Sequence, residues 1–549
     1  MKESKLYIKY RVGGEVFVED LYQTTHYYLE TVAGSDSLVV RLIPRTELEL
    51  IDFELRYNKD YGTDVRFFAN GYQAWTTSKE YASDQKIPSY FKLADISEAS
   101  RKLISISGDY LFNPPANKPG IFSSYTYCYI RHENEFQLYG SRSERTGFTI
   151  FKTDMKAGTF TIKKDVEGLK VNAPVVLLDV VTFTGSYDEV FDAYFGLLDL
   201  PAPRIDHLSG YTSWYNYFQK IDESIILRDL EGLTRVKQSA NIFQIDDGYE
   251  TFVGDWLDPS PKFPRGMKYV ADRIHEKGLL AGIWLAPFNA QKVSRIANEH
   301  PEWLITDNQT GKPLLGCAGW GGAYTLDIYN AEARAYIKNV FDVVLNDWGY
   351  DMVKLDFLYS QCMQPRYGKS RGMIMCEAME FLRECVGDKL ILGCGVPLGA
   401  AFGYVDACRI SCDVDLVYRG KYYNKLRINH EIPSAQNAIN NTVFRRHLNG
   451  RAFLNDPDVF FLRNYNLKFS EEQKLLLAKI NHLFGSVLFV SDDVGRYGEK
   501  ELELVCKTFK KSNAIILSVD LEDNDYFVIR YLEDGEKKEL VFNLKTGTK

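Results

Sequence analysis

Two strand-like runs of the chain each set a basic residue a short, even number of positions before a carboxylate. In DMVKLDFLY, Lys354 and Asp356 are two apart, so on an extended strand their side chains share a face. An ammonium beside a carboxylate favours the ionised form at neutral pH, which suits a nucleophile; the competing reading is a structural ion pair. In DACRISCDV, Arg409 and Asp413 are four apart and share a face if the run stays extended. The fixed fork of donors on Arg409 suits a hydroxyl or a carboxylate, and Asp413 suits proton donation to a leaving oxygen. Asp415 lies on the same face by spacing, so spacing alone leaves it as an alternative, and a turn-forming role is open to both aspartates.

A third run, NIFQIDDGY, ends in adjacent carboxylates, Asp246 and Asp247. Neighbouring strand residues point to opposite faces, so both meet one ligand only if Asp247 already lies in the loop, a turn that Gly248 permits. Paired acceptors are what two adjacent sugar hydroxyls need; an Asp-Asp-Gly turn without function is the rival. Trp214 in GYTSWYNY and Trp284 in GIWLAPF also end strand-like runs. An indole there can stack on the apolar face of a pyranose and donate one hydrogen bond, with core packing as the alternative. Other templates fail. The eight His form no HExxH or HxxEH, and neither a phosphate-binding glycine loop nor GxSxG occurs. LEDNDYF lacks the central Gly and the correctly placed Glu of a calcium loop. No metal and no cofactor is expected.

These residues need elements that bring strand ends together. From about 209 to 508, eight apolar runs alternate with amphipathic segments such as EARAYIKNVFDVVLNDWGY: GYTSWYNYF, NIFQIDDGY, LLAGIWLAPF, DMVKLDFLY, KLILGCGVPL, DACRISCDV, AFLNDPDVFF and SVLFVSDDV. Alternating strands and helices predict a parallel sheet, and eight strands predict a (β/α)8 TIM barrel with its polar strand ends at the catalytic face. Before residue 200, stretches such as SLVVRLIPR, DVRFFANGY, EFQLYGS and GFTIFKT read as an all-β region, closed off by Pro201 and Pro203. The last stretch, from AIILSVDLED onward, alternates around turns as a few antiparallel strands. The chain is thus expected to be a multidomain α/β protein, with an N-terminal β-sandwich over 1–200, a barrel over 201–508 and a small antiparallel β domain over 509–549.

With 66 Lys and Arg against 74 Asp and Glu, the formal charge of -8 lacks the basic footprint of a nucleic-acid binder and suits a neutral substrate. The 36 Tyr and 33 Phe suit strand packing and sugar-binding platforms. No signal-like apolar stretch opens the sequence and no apolar run reaches membrane length, so a cytoplasmic protein with no membrane partner is expected. Nine Cys, scattered without CxxC pairs, predict free thiols.

Taken in order, GYTSWYNYF, FQIDDGYE, GDWL, GIWLAPF, HPEWLI, VKLDFLYS, ILGCGVPL, CRISCDV and LNDPDVFFLR resemble the motifs of the bacterial α-galactosidases of glycoside hydrolase family 36 over nearly the whole chain. The resemblance implies Asp356 as nucleophile and Lys354 as a substrate-binding residue. It selects Asp413, four residues after a sugar-contacting Arg409, over Asp415 as acid/base. It implies Asp246 and Asp247 as holders of the galactose 4- and 6-hydroxyls, Trp214 and Trp284 as pocket walls, and Cys394 and Gly395 as pocket backbone. NGYQAW is similar to a sandwich loop that reaches the site, which implies a contact from Trp75. Three features depart from the family pattern: VDLVY after the acid/base, with its charged Asp415; Tyr72 in place of the loop's first Trp; and a short C-terminal sheet.

The activity implied is retaining, exo-acting cleavage of terminal α-galactose from oligosaccharides of the melibiose or raffinose type or from glycoconjugates, with carboxyl groups about 5 to 5.5 Å apart. Within the same chemistry stand α-N-acetylgalactosaminidase and galactosyl transglycosylase. Outside it stand a Schiff-base enzyme on Lys354 and a non-catalytic sugar-binding protein. A homo-oligomer is compatible with the resemblance.

Overall fold

A computed structural model describes residues 4–87, 106–258, 260–419, 433–522 and 525–549. Two antiparallel sheets of seven strands each occupy the first part of the chain. One runs in the order Glu15–Glu19, Ser4–Val12, Leu48–Asn58, Thr159–Asp165, Phe148–Asp154, Ile121–Tyr125, with Lys170–Val171 also pairing on Leu48–Asn58. The other runs Tyr27–Ala33, Ser37–Pro44, Val175–Gly185, Glu135–Ser141, Tyr127–His132, Val65–Ala69, Lys79–Ala82. Alternation makes the layers. In Ser37–Pro44 the residues Leu38, Val40 and Leu42 are buried, and they join Phe53, Leu55, Ile162 and Val180 in one apolar cluster. The four stretches read as strands are strands, but this region is not purely β: helix Tyr187–Leu197 follows the second sheet. Its Val190, Phe191, Tyr194 and Phe195 face inward, a spacing of helical period, and join the larger core that continues through the parallel sheet.

The eight expected runs appear as nine parallel strands, in the order Leu454–Asp456, Ala407–Arg409, Leu390–Gly393, Met352–Leu355, Leu280–Leu285, Ile242–Ile245, Leu208–Thr212, Val487–Val490, Val459–Phe460. The extra strand comes from AFLNDPDVFF. Pro457 has no N–H to give to a ladder and Asp458 takes φ 81°, so the run is cut into two pieces that become the two edges of the sheet. The strands are short and buried along their length, as parallel strands covered by helices are. The segment EARAYIKNVFDVVLNDWGY forms helix Ala331–Asp342, capped by Asn330, and one π-helical turn to Asp347. Strands Ile515–Glu522, Tyr526–Glu533 and Glu536–Asn543 make the last, antiparallel sheet. All nine cysteines are free thiols. Among the described residues no helix is long and apolar enough to cross a membrane.

The NGYQAW loop is bound to the parallel sheet by one buried cation. Arg445, at the end of helix Ala435–Phe444, donates to the carbonyls of Ala74 and Gln73 in that loop and to Asn70 Oδ1. It also donates 2.7 Å to the carbonyl of Ile410, just past the Ala407–Arg409 strand. Burial draws its guanidinium down to about 10. The neighbouring Asn440 and Asn441 add bonds to the backbone of Ser78 and Thr76. Replacing Arg445 with Ala strips buried acceptors of their donor, so a loss of about 3 kcal/mol in unfolding free energy is expected from denaturant titration. A wild-type midpoint in that variant would contradict the clamp.

Candidate active site

The C-terminal ends of the parallel strands meet in one cluster of carboxylates and indoles. Asp356 follows the Met352–Leu355 strand directly and is buried. Its Oδ2 accepts from the indole N–H of Trp284 at 3.1 Å, and its Oδ1 accepts from the backbone N–H of Phe357 at 2.8 Å. That second bond depends on a left-handed residue: Phe357 has φ 55°, a conformation a bulky side chain rarely adopts. It turns the chain so that the amide faces back onto the carboxylate. Backbone strain of this kind concentrates at functional sites, and Trp320, Asp415 and Asp458 nearby also have positive φ.

Lys354 does not bond to Asp356 as the sequence suggested. Its ammonium donates 2.8 Å to Asp246 Oδ2, an oxygen that also accepts from Gln244 at 2.8 Å. Burial opposes the Lys354 charge, but the anions around it, Asp246 foremost, raise its affinity for the proton overall. Among the described residues, Asp356 consequently has no contacting cation. Burial raises its carboxyl above the ordinary range; Lys354, Trp284 and Cys394 pull the other way, and the charge of Asp413 adds to the rise. Lys354 favours the ionised form of Asp356, as expected, but from its place on Asp246, and burial outweighs it in direction.

The second charged pair is present but arises differently. The strand ends at Arg409, so Asp413 reaches it by the chain turning, not by strand alternation. Arg409 Nη1 lies 2.9 Å from Asp413 Oδ1, Nη2 is 2.8 Å from Asp458 Oδ1 and Nε is 3.2 Å from Asp456 Oδ2. One buried guanidinium thus serves three carboxylates. Asp456 and Asp458 are fully enclosed, whereas the side chain of Asp413 is 44% exposed and open to the mouth. Burial lifts Asp458 to about 7 against the pull of Arg409; Tyr215 donates its hydroxyl to it, as does the Val414 amide at 2.9 Å. Asp415 turns aside and caps Leu416 N at 2.6 Å.

Asp246 and Asp247 lie side by side. Asp247 is in the loop, as the turn at Gly248, φ 119°, allows, and it takes both oxygens to Gln219 Nε2 at 3.1 Å and one to the indole N–H of Trp320 at 2.9 Å. Trp284 is fully buried, with Trp256 and Trp320 against it at ring distances of 5.8 and 5.9 Å. Trp214 starts a short helix after the Leu208–Thr212 strand and, with Asp246, Lys354 and Arg409, lines a small cavity inside the mouth. Cys394 and Gly395 follow the Leu390–Gly393 strand. Gly395 has φ 55°, and a Cβ there would stand 2.9 Å from the ring of Trp75, so the sandwich loop does reach this rim. Trp75 packs edge-on against Phe357 and Tyr359. Tyr72 points away, into the core against Tyr125 and Phe148.

Sequence reasoning brought these eleven residues to one end of the sheet, and the structure gathers them there. It missed Trp320, Gln219, Asp456 and Asp458. The last two sat in LNDPDVFFLR, where a proline inside an apolar run marks a broken strand with carboxylates at the break.

Residues 231–373 match the Melibiase family. The A type blood α-D-galactosamine galactosaminidase of Flavonifractor plautii is 32% identical over 209 residues, 34% of this chain and 19% of that protein. The α-galactosidase Mel36A of Lactobacillus acidophilus is 34% identical over 127 residues, 22% of this chain and 17% of its own. These alignments span less than a fifth of either relative. The fold is shared along almost the whole chain: TtGalA, an α-galactosidase of Thermus thermophilus, superimposes with a TM-score of 0.73 at 24% identity, over 93% of this chain and 98% of that one. The family 36 α-galactosidase AgaA of Geobacillus stearothermophilus gives 0.62 at 12% identity, over 92% and 70%. The matched segment is thus similar to the Melibiase family, and the fold is the one seen in the α-galactosidases of known structure.

Because the folded pKa of Asp356 is raised, it adds stability below the ordinary carboxylate pKa and forfeits it as pH climbs through the folded value. Asp356→Asn should therefore melt higher than the wild type at neutral pH, with the gap shrinking in acid; calorimetry at both pH values checks it, and a lower neutral Tm would contradict the sign.

Proposed function

We propose that this chain is a retaining α-galactosidase that works by double displacement, with Asp356 as nucleophile and Asp413 as acid/base. The observation that carries it is the contrast between the two carboxyls: Asp356 is enclosed and fixed by two N–H donors, while Asp413 is half exposed on the Arg409 fork. In the first displacement an Asp356 oxygen attacks the anomeric carbon, the glycosidic C–O bond breaks, and Asp413 gives its proton to the leaving oxygen. In the second, Asp413 takes a proton from water, whose oxygen attacks the same carbon and releases Asp356, restoring the α configuration. Asp246 and Asp247 accept from the sugar hydroxyls, Lys354 and Arg409 donate to them, and Trp284, Trp214 and Trp75 wall the ring, with Cys394 and Gly395 beside it.

The nine-stranded sheet fits a (β/α)8 barrel closed through the split run 454–460, flanked by a sandwich over 1–200 and a sheet over 509–549. Oligosaccharides of the melibiose or raffinose type suit a site of hydrogen-bond acceptors and donors walled by indoles, and the Thermus neighbour is known in complex with stachyose. The cytoplasm is the compartment that suits nine free thiols. A second substrate class is favoured by one finding: the Flavonifractor relative carries galactosamine in its name. Comparing nitrophenyl α-galactoside with the corresponding N-acetylgalactosaminide and galactosaminide separates the two.

Asp356→Gly should lose at least about 10⁴-fold in turnover and regain part of it with azide, giving the opposite anomer. Asp413→Ala should lose about 10²- to 10⁴-fold on natural linkages and much less on a nitrophenyl leaving group that needs no proton. Full activity in the first variant, or an equal loss on both substrates in the second, would contradict the assignment.

A further inference from the structure

Glu250 stands three residues after Asp247 in the same tight turn, and its Oε2 accepts the Gly248 N–H at 3.2 Å. Both side chains are enclosed, Asp247 at 3% exposure and Glu250 at 6%, and their carboxyls come within hydrogen-bonding reach of each other. Two carboxylates cannot share a hydrogen bond, because neither has a donor; one must keep a proton. Among the described residues neither carboxyl has an ion-pair partner. Asp246 beside them has Lys354, whereas Asp247 has only the neutral N–H groups of Gln219 and Trp320. The ammonium of Lys262 is spent on the carbonyls of Gln219 and Gly248. Asp247 already accepts from two neutral N–H groups, so the proton belongs on Glu250, whose carboxyl burial pushes well above its ordinary value.

We propose that Glu250 is a positioning residue for sugar recognition: as a carboxylic acid it donates to Asp247, fixing the rotamer of that carboxylate and the lone pairs it turns toward the sugar hydroxyls. The proposal rests on Asp247 being a sugar-hydroxyl acceptor. It also explains how a pocket can hold two adjacent aspartates beside a neutral ligand, one compensated by an ammonium and the other by a retained proton.

Glu250→Gln keeps a donor of the same shape, and Glu250→Ala removes it. On nitrophenyl α-galactoside the Gln variant should lose about threefold or less in kcat/KM. The Ala variant, its fold checked by circular dichroism, should show KM raised about tenfold or more with kcat within about threefold, the cost of one lost hydrogen bond. Infrared difference spectra of wild type minus Glu250→Gln at neutral pH should show the C=O stretch of a protonated carboxylic acid. Equal damage in the two variants, an unimpaired Ala variant, or no such band in the difference spectrum would overturn the proposal. The infrared readout needs no turnover. An inactive wild type would therefore count against the α-galactosidase assignment, whereas an active wild type lacking the band would count against Glu250 alone.

Discussion

The arrangement at the mouth of the parallel sheet depends on how buried carboxylates are compensated. Among the described residues there, Asp246, Asp247, Glu250, Asp356, Asp456 and Asp458 are withdrawn from water, and Lys354 and Arg409 are enclosed with them. Each carboxylate therefore takes one of a few solutions. Asp246 takes an ammonium, and Asp456 and Asp458 take a shared guanidinium. Asp356 takes neutral donors in contact and is left with a raised proton affinity. A carboxylate stabilised by hydrogen bonds but unpaired by contact keeps its oxygen available to an electrophile, while a contacting lysine would occupy it. The division of cations thus assigns roles that residue type alone does not.

The same economy extends to the sandwich. Arg445 lends its guanidinium to backbone carbonyls on both sides of the junction, tying the loop that carries Trp75 to the segment that leads from Arg409 to Asp413. The rim of the pocket and the approach to the half-exposed carboxylate therefore hang on one side chain. Gly395 completes the contact, since only a residue without Cβ lets the Trp75 ring lie so close to a left-handed turn.

Much of this was legible in the sequence, for reasons that differ residue by residue. Parity placed Asp246, Lys354 and Asp356 because their strands are short, regular and end where the apolar run ends. Parity was the wrong reason for Asp413: the chain leaves the strand at Arg409, and a turn restores the contact. Which carboxylate Lys354 pairs with was not legible, because the choice between Asp356 on its own strand and Asp246 two strands away is made by the curl of the sheet. Trp320 sits in a turn with φ 54° and belongs to no periodic pattern, so nothing in the sequence directed its indole to Asp247. All eight runs are strands; what was not weighed is the break at Pro457, which splits one run into two pieces.

The most direct test of Asp356 as the atom that forms the glycosyl bond is covalent capture. A 5-fluoro-galactosyl fluoride of α configuration turns over slowly enough to accumulate the intermediate, which peptide mass spectrometry can locate. A single label on the peptide containing VKLDFLYS, at Asp356, is the predicted result. A label on Asp413, Asp246 or any other carboxylate, or steady turnover of the reagent with no label at all, would contradict the account.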